Sequence, residues 1–203
     1  MMSSSHTDTE ARILEAAKKV FIQKGLEGAR MQEIADEARI NKSLLHYYYR
    51  TKEKLFSAVF QFAISRFVPR IEEIFGSDIT LFEKIELIID HYISLLMKNQ
   101  FVPIFVLHEI NRHPDRLVNL MSSAGVRPNI LIEQIEKEIQ KGTIKQITPQ
   151  NLIINIISLC VFPFAARPLI QRLFFANDKK DYVEFLKNRK REVSNFIINA
   201  IKV

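Results

Sequence analysis

Apolar residues recur at three- and four-residue intervals along almost the whole of this 203-residue chain, and only five glycines interrupt them. That period places side chains on one stripe of an α-helix, because successive residues turn by about 100°. No sustained alternation of apolar and polar residues occurs, and no Asn-Gly or Asp-Gly pair is present to close a hairpin. The chain is therefore expected to be all-α. Near the N-terminus, Thr7 and Glu10 stand three apart as in a capping box, which predicts a helix from about Asp8. Ile13, Ala16, Ala17, Val20 and Phe21 form its apolar face, and Gly25 is a natural left-handed stop. A second helix over MQEIADEA turns Met31, Ile34, Ala35 and Ala38 to one side, and Asn41 is a good N-cap for a third, KSLLHYY. Thr51 caps a fourth, running to about Arg66, whose apolar face includes Leu55, Val59 and Phe62.

Two short helices joined by about three residues and braced by a longer one make a helix-turn-helix. The third helix then carries Leu45 and one of Tyr48 and Tyr49 inward, which leaves Lys42, Ser43, His46 and Tyr47 outward. Three consecutive tyrosines cannot all face one core from a helix, so at least one ring is expected beside the cations. From Arg39 to Lys54 there are five Lys or Arg against one acid, Glu53. A helix fits the major groove of duplex DNA, and its first turn meets base edges. The flanking phosphates need cations, hydroxyls and helix N-termini, here Lys42 and Ser43 at one start and Thr51 and Lys52 at the next. A net charge of +6 favours a polyanionic partner.

Residues 9 to 56 resemble the DNA-binding region of TetR-type (TetR/AcrR-like) transcriptional regulators. The likeness is carried by ILEAAKKVFIQKGLEGARMQEIADEA, a short turn, and KSLLHYYYRTKEKLF. The resemblance implies a homodimer of all-helical subunits: a DNA-binding domain over 1–51, and a helical domain over 52–203 that binds a small effector and dimerises. It also matches Lys52 to a phosphate-binding lysine and Tyr47 to a neighbouring aromatic contact. Four positions depart from the pattern. Arg39 stands at a turn usually held by Gly, and Arg30 replaces a capping Ser or Thr but can reach a phosphate itself. His46 stands in place of Tyr, and Tyr49 in place of a core Phe. The candidate DNA-contacting set is Arg30, Asn41, Lys42, Ser43, Leu44, His46, Tyr47, Thr51 and Lys52.

Further along, helices are expected at Leu81–Lys98, Pro103–Arg112, Asp115–Met121, Pro128–Lys141, Pro149–Phe162 and Asp181–Ile201, with irregular chain past Pro163 and Pro168. The run NLIINIISLCVFPFAARPLIQRLFF is apolar nearly all round and must be covered on more than one side. By the resemblance, 149–162 and 181–201 form the dimer interface. Phe101, Phe105, His108, Met121, Phe162 and Arg167 are candidate effector ligands for an apolar or aromatic molecule; a filled core would look the same in sequence. Metal and cofactor are not expected. His108 and His113 in HEINRH are five apart rather than four, and no phosphate loop, nucleophile elbow or CxxC pair occurs. Cys160, the one cysteine, lies in an apolar run and reads as packing, which fits a reducing compartment. The basic run LKNRKREV reads as a solvated helix face. The N-terminus lacks a signal peptide's apolar segment and no apolar run reaches bilayer length, so a cytoplasmic, non-membrane, non-enzymatic regulator is expected. The competing reading is a ligand-sequestering or adaptor protein with a degenerate DNA head.

Overall fold

A computed structural model describes residues 3–65, 68–100, 102–112, 114–123 and 125–203, with the side chains of 3–7, 64, 105, 108, 109, 112, 116 and 120 outside that description. Among the described residues the chain forms twelve helices. They are α1 (Ser3–Gly28), α2 (Met31–Glu37), α3 (Lys42–Tyr48), α4 (Lys52–Ser65), α5 (Val68–Gly76), α6 (Leu81–Lys98), α7 (Val102–Arg112), α8 (Pro114–Ser123), α9 (Pro128–Gln140), α10 (Pro149–Ala165), α11 (Arg167–Phe175) and α12 (Lys179–Ile201). Among the described residues the β-type pairing is one isolated bridge between Ile144 and Lys202. The helices group into two compact units, Met1–Arg66 with Asn99–Ala124, and Phe67–Lys98 with Gly125–Val203.

In the first unit α1 packs on α4 and α2, α2 on α3, and α7 on α8 and α4. Ile13, Ala17 and Phe21 of α1 are buried with Ile34 and Ala35 of α2, Leu45 of α3, and Leu55, Phe56 and Val59 of α4. Burying each large apolar side chain of this kind contributes about 1.5–3 kcal/mol. Phe21 meets Phe56 edge to face at 4.7 Å. Phe60, not Phe62, completes the buried face of α4, and Phe62 is half-buried. The helical run of α1 begins at Ser3, so Thr7 lies inside it rather than at its cap. Gly25 breaks the run at φ 67°, ψ 178°, a conformation that β-carbon sterics deny other residues.

In the second unit α6 and α12 pack along one another, with α10 against both. Ile85, Ile89, Ile93 and Leu96 give α6 a fully buried stripe at helical spacing, met by Tyr182, Leu186, Val193 and Ile197 of α12. Helix α6 has the bounds its sequence predicts. Helix α5 is an additional element beyond those the sequence predicts: α4 ends at Ser65, and Pro69 stands in the first turn of α5, where a missing N–H costs nothing. Helix α12 starts two residues earlier than Asp181, because the Asp178 carboxylate accepts from the Lys180 and Asp181 N–H groups at 2.6 and 3.1 Å.

Helix α10 runs through Pro163 instead of stopping at Phe162. Proline lacks the N–H that would reach the carbonyl of Leu159, four residues back. Arg189 of α12 takes that place: its Nε and Nη2 both donate to the Leu159 carbonyl, at 3.2 and 3.0 Å. The Tyr182 hydroxyl donates to the Pro163 carbonyl at 2.6 Å. The basic run, expected as a solvated helix face, is only partly so, because Arg189 and Lys190 are half-buried. Lys190 is also spent inside the unit, donating to Ser94 at 2.7 Å and pairing with Asp90 at 2.8 Å, while Arg191 stays exposed beside Glu192. Cys160 is buried, and burial pushes its thiol up to about 12, so it is no nucleophile at neutral pH.

Candidate nucleic-acid interface

Local chemistry explains how α2 and α3 are held. At the start of α2, Glu33 reaches back to accept from the Arg30 N–H at 3.3 Å. A guanidinium has no acceptor, so the reciprocal half of a capping box is missing there. At its end the chain turns sharply: Arg39 N–H donates to the Asp36 carbonyl and Ile40 N–H to the Ala35 carbonyl, both at 3.0 Å. This turn requires Arg39 to adopt φ 55°, the left-handed region that the usual glycine would enter without strain. Asn41 then caps α3, its side-chain oxygen accepting from Leu44 N–H at 2.7 Å. Helix α1 pins α2 from outside: Arg12 donates to the Ala38 carbonyl at 2.7 Å, and Lys19 and Lys24 pair with Glu37 and Glu33, each at 2.8 Å. Both carboxyls sit below their ordinary range because those lysines hydrogen-bond them. Two of the three acids of α2 are thus neutralised by α1, and the third, Asp36, accepts from Gln32 at 2.8 Å.

Helix α3 turns Leu45 fully inward. Of the three tyrosines it is Tyr49, just past its end, that is buried, and its hydroxyl donates to Glu10 of α1 at 2.9 Å. Burial, then that bond, raises its ionisation above the usual phenol range. Tyr48 is half-buried, and Tyr47 is 74% exposed with its ring edge-on to Tyr48 at 5.6 Å. Asn41, Lys42 and Ser43 are exposed, and Lys42 and Ser43 have no hydrogen-bond or ion-pair partner among the described residues. Leu44 and His46 are half-buried, and the His46 Nδ1 lies 3.3 Å from the Arg50 carbonyl. Thr51 is exposed, its hydroxyl accepting from Lys54 N–H at the start of α4. Lys52 donates to the Glu27 carbonyl at 3.2 Å, which uses one of its three N–H bonds. Arg30 is exposed at the start of α2. Lys42, Ser43, Tyr47, Thr51 and Lys52 therefore lie on α3 and the junction that follows it, whereas Arg30 sits apart on the preceding helix. A short capped helix with a cation, a hydroxyl and a phenol turned to solvent can meet base edges and phosphates.

The candidate effector residues are scattered. Phe101 lies outside the described residues, as do the side chains of Phe105 and His108. Met121 is half-exposed on α8 in the first unit. Phe162, on α10 of the second unit, is 62% exposed. Arg167 of α11 hydrogen-bonds Gln171 at 3.3 Å and stacks over the Tyr182 ring at 5.6 Å. Two cavities among the described residues, of about 460 and 560 Å³, are lined by none of these. No cluster of three or more metal-ligating side chains occurs among the described residues. The Glu10–Tyr49 bond escaped the sequence reading, because nothing local joins residues 39 positions apart.

Residues 13–59 match the family described as "Bacterial regulatory proteins, tetR family". The chain is 28% identical over 194 residues to the HTH-type transcriptional repressor NicS of Pseudomonas putida, covering 89% of each. It is 49% identical over 53 residues to an HTH-type transcriptional repressor of Streptomyces coelicolor, covering 26% of this chain and 28% of that one. Among solved structures, its fold matches the transcriptional regulator FadR of Bacillus subtilis in complex with stearoyl-CoA, with a TM-score of 0.70 at 19% identity over 93% of this chain and 97% of that one. A helix-turn-helix built and capped as above, on an all-α body, agrees with these likenesses throughout. The chain carries, at residues 13–59, the DNA-binding domain of bacterial regulatory proteins of the tetR family, and over most of its length it is similar to transcriptional regulators of that kind.

Proposed function

We propose that this protein is a homodimeric transcriptional repressor released from a palindromic operator by a small apolar or aromatic effector. Residues 1–51 read DNA in this reading, and residues 52–203 bind the effector and dimerise. The observation that carries it is α3: a capped helix whose outward Lys42, Ser43 and Tyr47 are left for an external partner. Each subunit places α3 in one of two successive major grooves, with Lys52, Thr51 and Arg30 on phosphates. Repression, rather than activation, is supported by the names of the two repressors it resembles.

Dimerisation is supported by the outward apolar side chains of the second unit, among them Ile154, Ile157, Leu169, Leu173 and Phe174. Side chains of this kind left in water favour a large hydrophobic interface. The effector class draws support from stearoyl-CoA bound to the structurally similar FadR, which makes a long acyl chain the first probe. The effector shifts the equilibrium only by its difference in affinity for the two states of the dimer. Fluorescence anisotropy on the DNA upstream of the protein's own gene, at fixed salt, tests the reading. Tight sequence-dependent binding relieved by an acyl-CoA supports it, and binding that ignores sequence overturns it.

A further inference from the structure

A seven-residue helix is far too short to hold itself together in water, so its direction is set by whatever anchors it. Helix α3 has an N-terminal cap on Asn41, one fully buried side chain at Leu45, and α2 as its main neighbour. Those anchors lie at one end and one side. At the other end is Tyr49. Its ring is buried, and a phenylalanine would fill that space equally well, so packing does not account for the hydroxyl. The hydroxyl spans to the Glu10 carboxylate on α1 at 2.9 Å, in a part-buried setting. A hydrogen bond to a charged acceptor is short and directional, and stronger than one between neutral groups. One residue turn further on, Lys52 donates to the Glu27 carbonyl at the far end of α1. The junction that follows α3 is therefore stayed to α1 at two points, Glu10 and Glu27.

Building on the DNA-reading role assigned to α3, we infer that Glu10 and Tyr49 are a positioning pair that fixes the rotation of α3 and so its choice of sequence. A helix with its side chains is about 10–12 Å across, so a rotation of about 10° moves a side-chain tip by about 1 Å. That is enough to spoil the geometry of a base-edge hydrogen bond while leaving phosphate attraction almost untouched. Neither residue touches DNA in this assignment.

The test uses the full chain, with two duplexes: one that the wild type selects from a random-sequence library, and a scrambled duplex of the same composition. Tyr49→Phe keeps the ring and removes the hydroxyl; Glu10→Ala removes the acceptor from the helix rim, so it remains informative if the first variant folds poorly. Both are expected to bind the selected duplex about tenfold more weakly and the scrambled duplex within about twofold of wild type. Glu10→Gln, whose amide oxygen still accepts, is expected to restore most of the preference. The double variant Glu10→Ala/Tyr49→Phe is expected to be no worse than either single change, as for two halves of one bond. An unchanged ratio between the two duplexes in both single variants overturns the inference, whatever happens to the melting temperature. Loss of both duplexes alike also overturns it, because that is a purely structural role. A wild type that selects no duplex overturns the DNA-reading role, and this inference with it.

Discussion

The two compact units treat the same kind of side chain in opposite ways. In the first, Lys42, Ser43 and Tyr47 of α3 stand in solvent, and Glu33 and Glu37 of the neighbouring α2 are taken up by lysines of α1. In the second, a denser basic run, Arg189-Lys190-Arg191, has two of its three cations committed to a carbonyl, a hydroxyl and a carboxylate of the same unit. Charge density alone would have ranked the second run as the better nucleic-acid site. What separates the two is whether the hydrogen-bonding capacity is already used. A group whose donors are filled inside the fold has little to offer a ligand, and one left open on a rigid, capped helix is available at no cost of rearrangement.

Four measurements would break or sharpen that contrast. The largest effect is expected from Arg189→Ala, which leaves the Leu159 carbonyl with neither a helix N–H nor a guanidinium. We expect it to cost about 2–3 kcal/mol in urea unfolding, while DNA affinity per folded molecule stays constant. A variant that keeps its stability and loses DNA binding would reverse the roles of the two runs. Next, Lys42→Ala should leave the melting temperature within error and reduce discrimination between operator and scrambled DNA by about 1–2 kcal/mol, read by anisotropy. Lys52→Ala should instead weaken both duplexes alike, by about 1 kcal/mol, and reduce the slope of log affinity against log salt by about one. Smaller again is Arg39→Gly: relief of the left-handed strain, offset by a more flexible unfolded chain, should stabilise the protein by about 0.5–1 kcal/mol in thermal melts.

Much of the first unit could be read from sequence because its signals are local. The Asn41 cap, the extent of α3 and the Thr51 start of α4 each depend on residues within four positions of one another. The strain at Arg39 was visible for the same reason, as a bulky residue where a turn needs a glycine. The misses are non-local or arise from ambiguous residues. Pro163 reads as the end of a helix, yet it is accommodated within α10 by an arginine 26 positions downstream. No periodicity could announce that partner. The inward tyrosine was narrowed to two positions; Tyr49 was settled by Glu10, on a helix that ends well before α3 begins. The effector candidates remain the least legible, since aromatic residues lining a cavity and aromatic residues filling a core have the same pattern.

The acceptor that Pro163 leaves open, and the guanidinium that fills it, tie two distant positions into one unit of inheritance. A lineage that replaces the proline first restores the backbone bond, and the half-exposed arginine can turn its donors to water. One that replaces the arginine first leaves a half-buried carbonyl bare. That second order crosses the less stable intermediate, so loss of the arginine is expected to follow loss of the proline rather than to precede it.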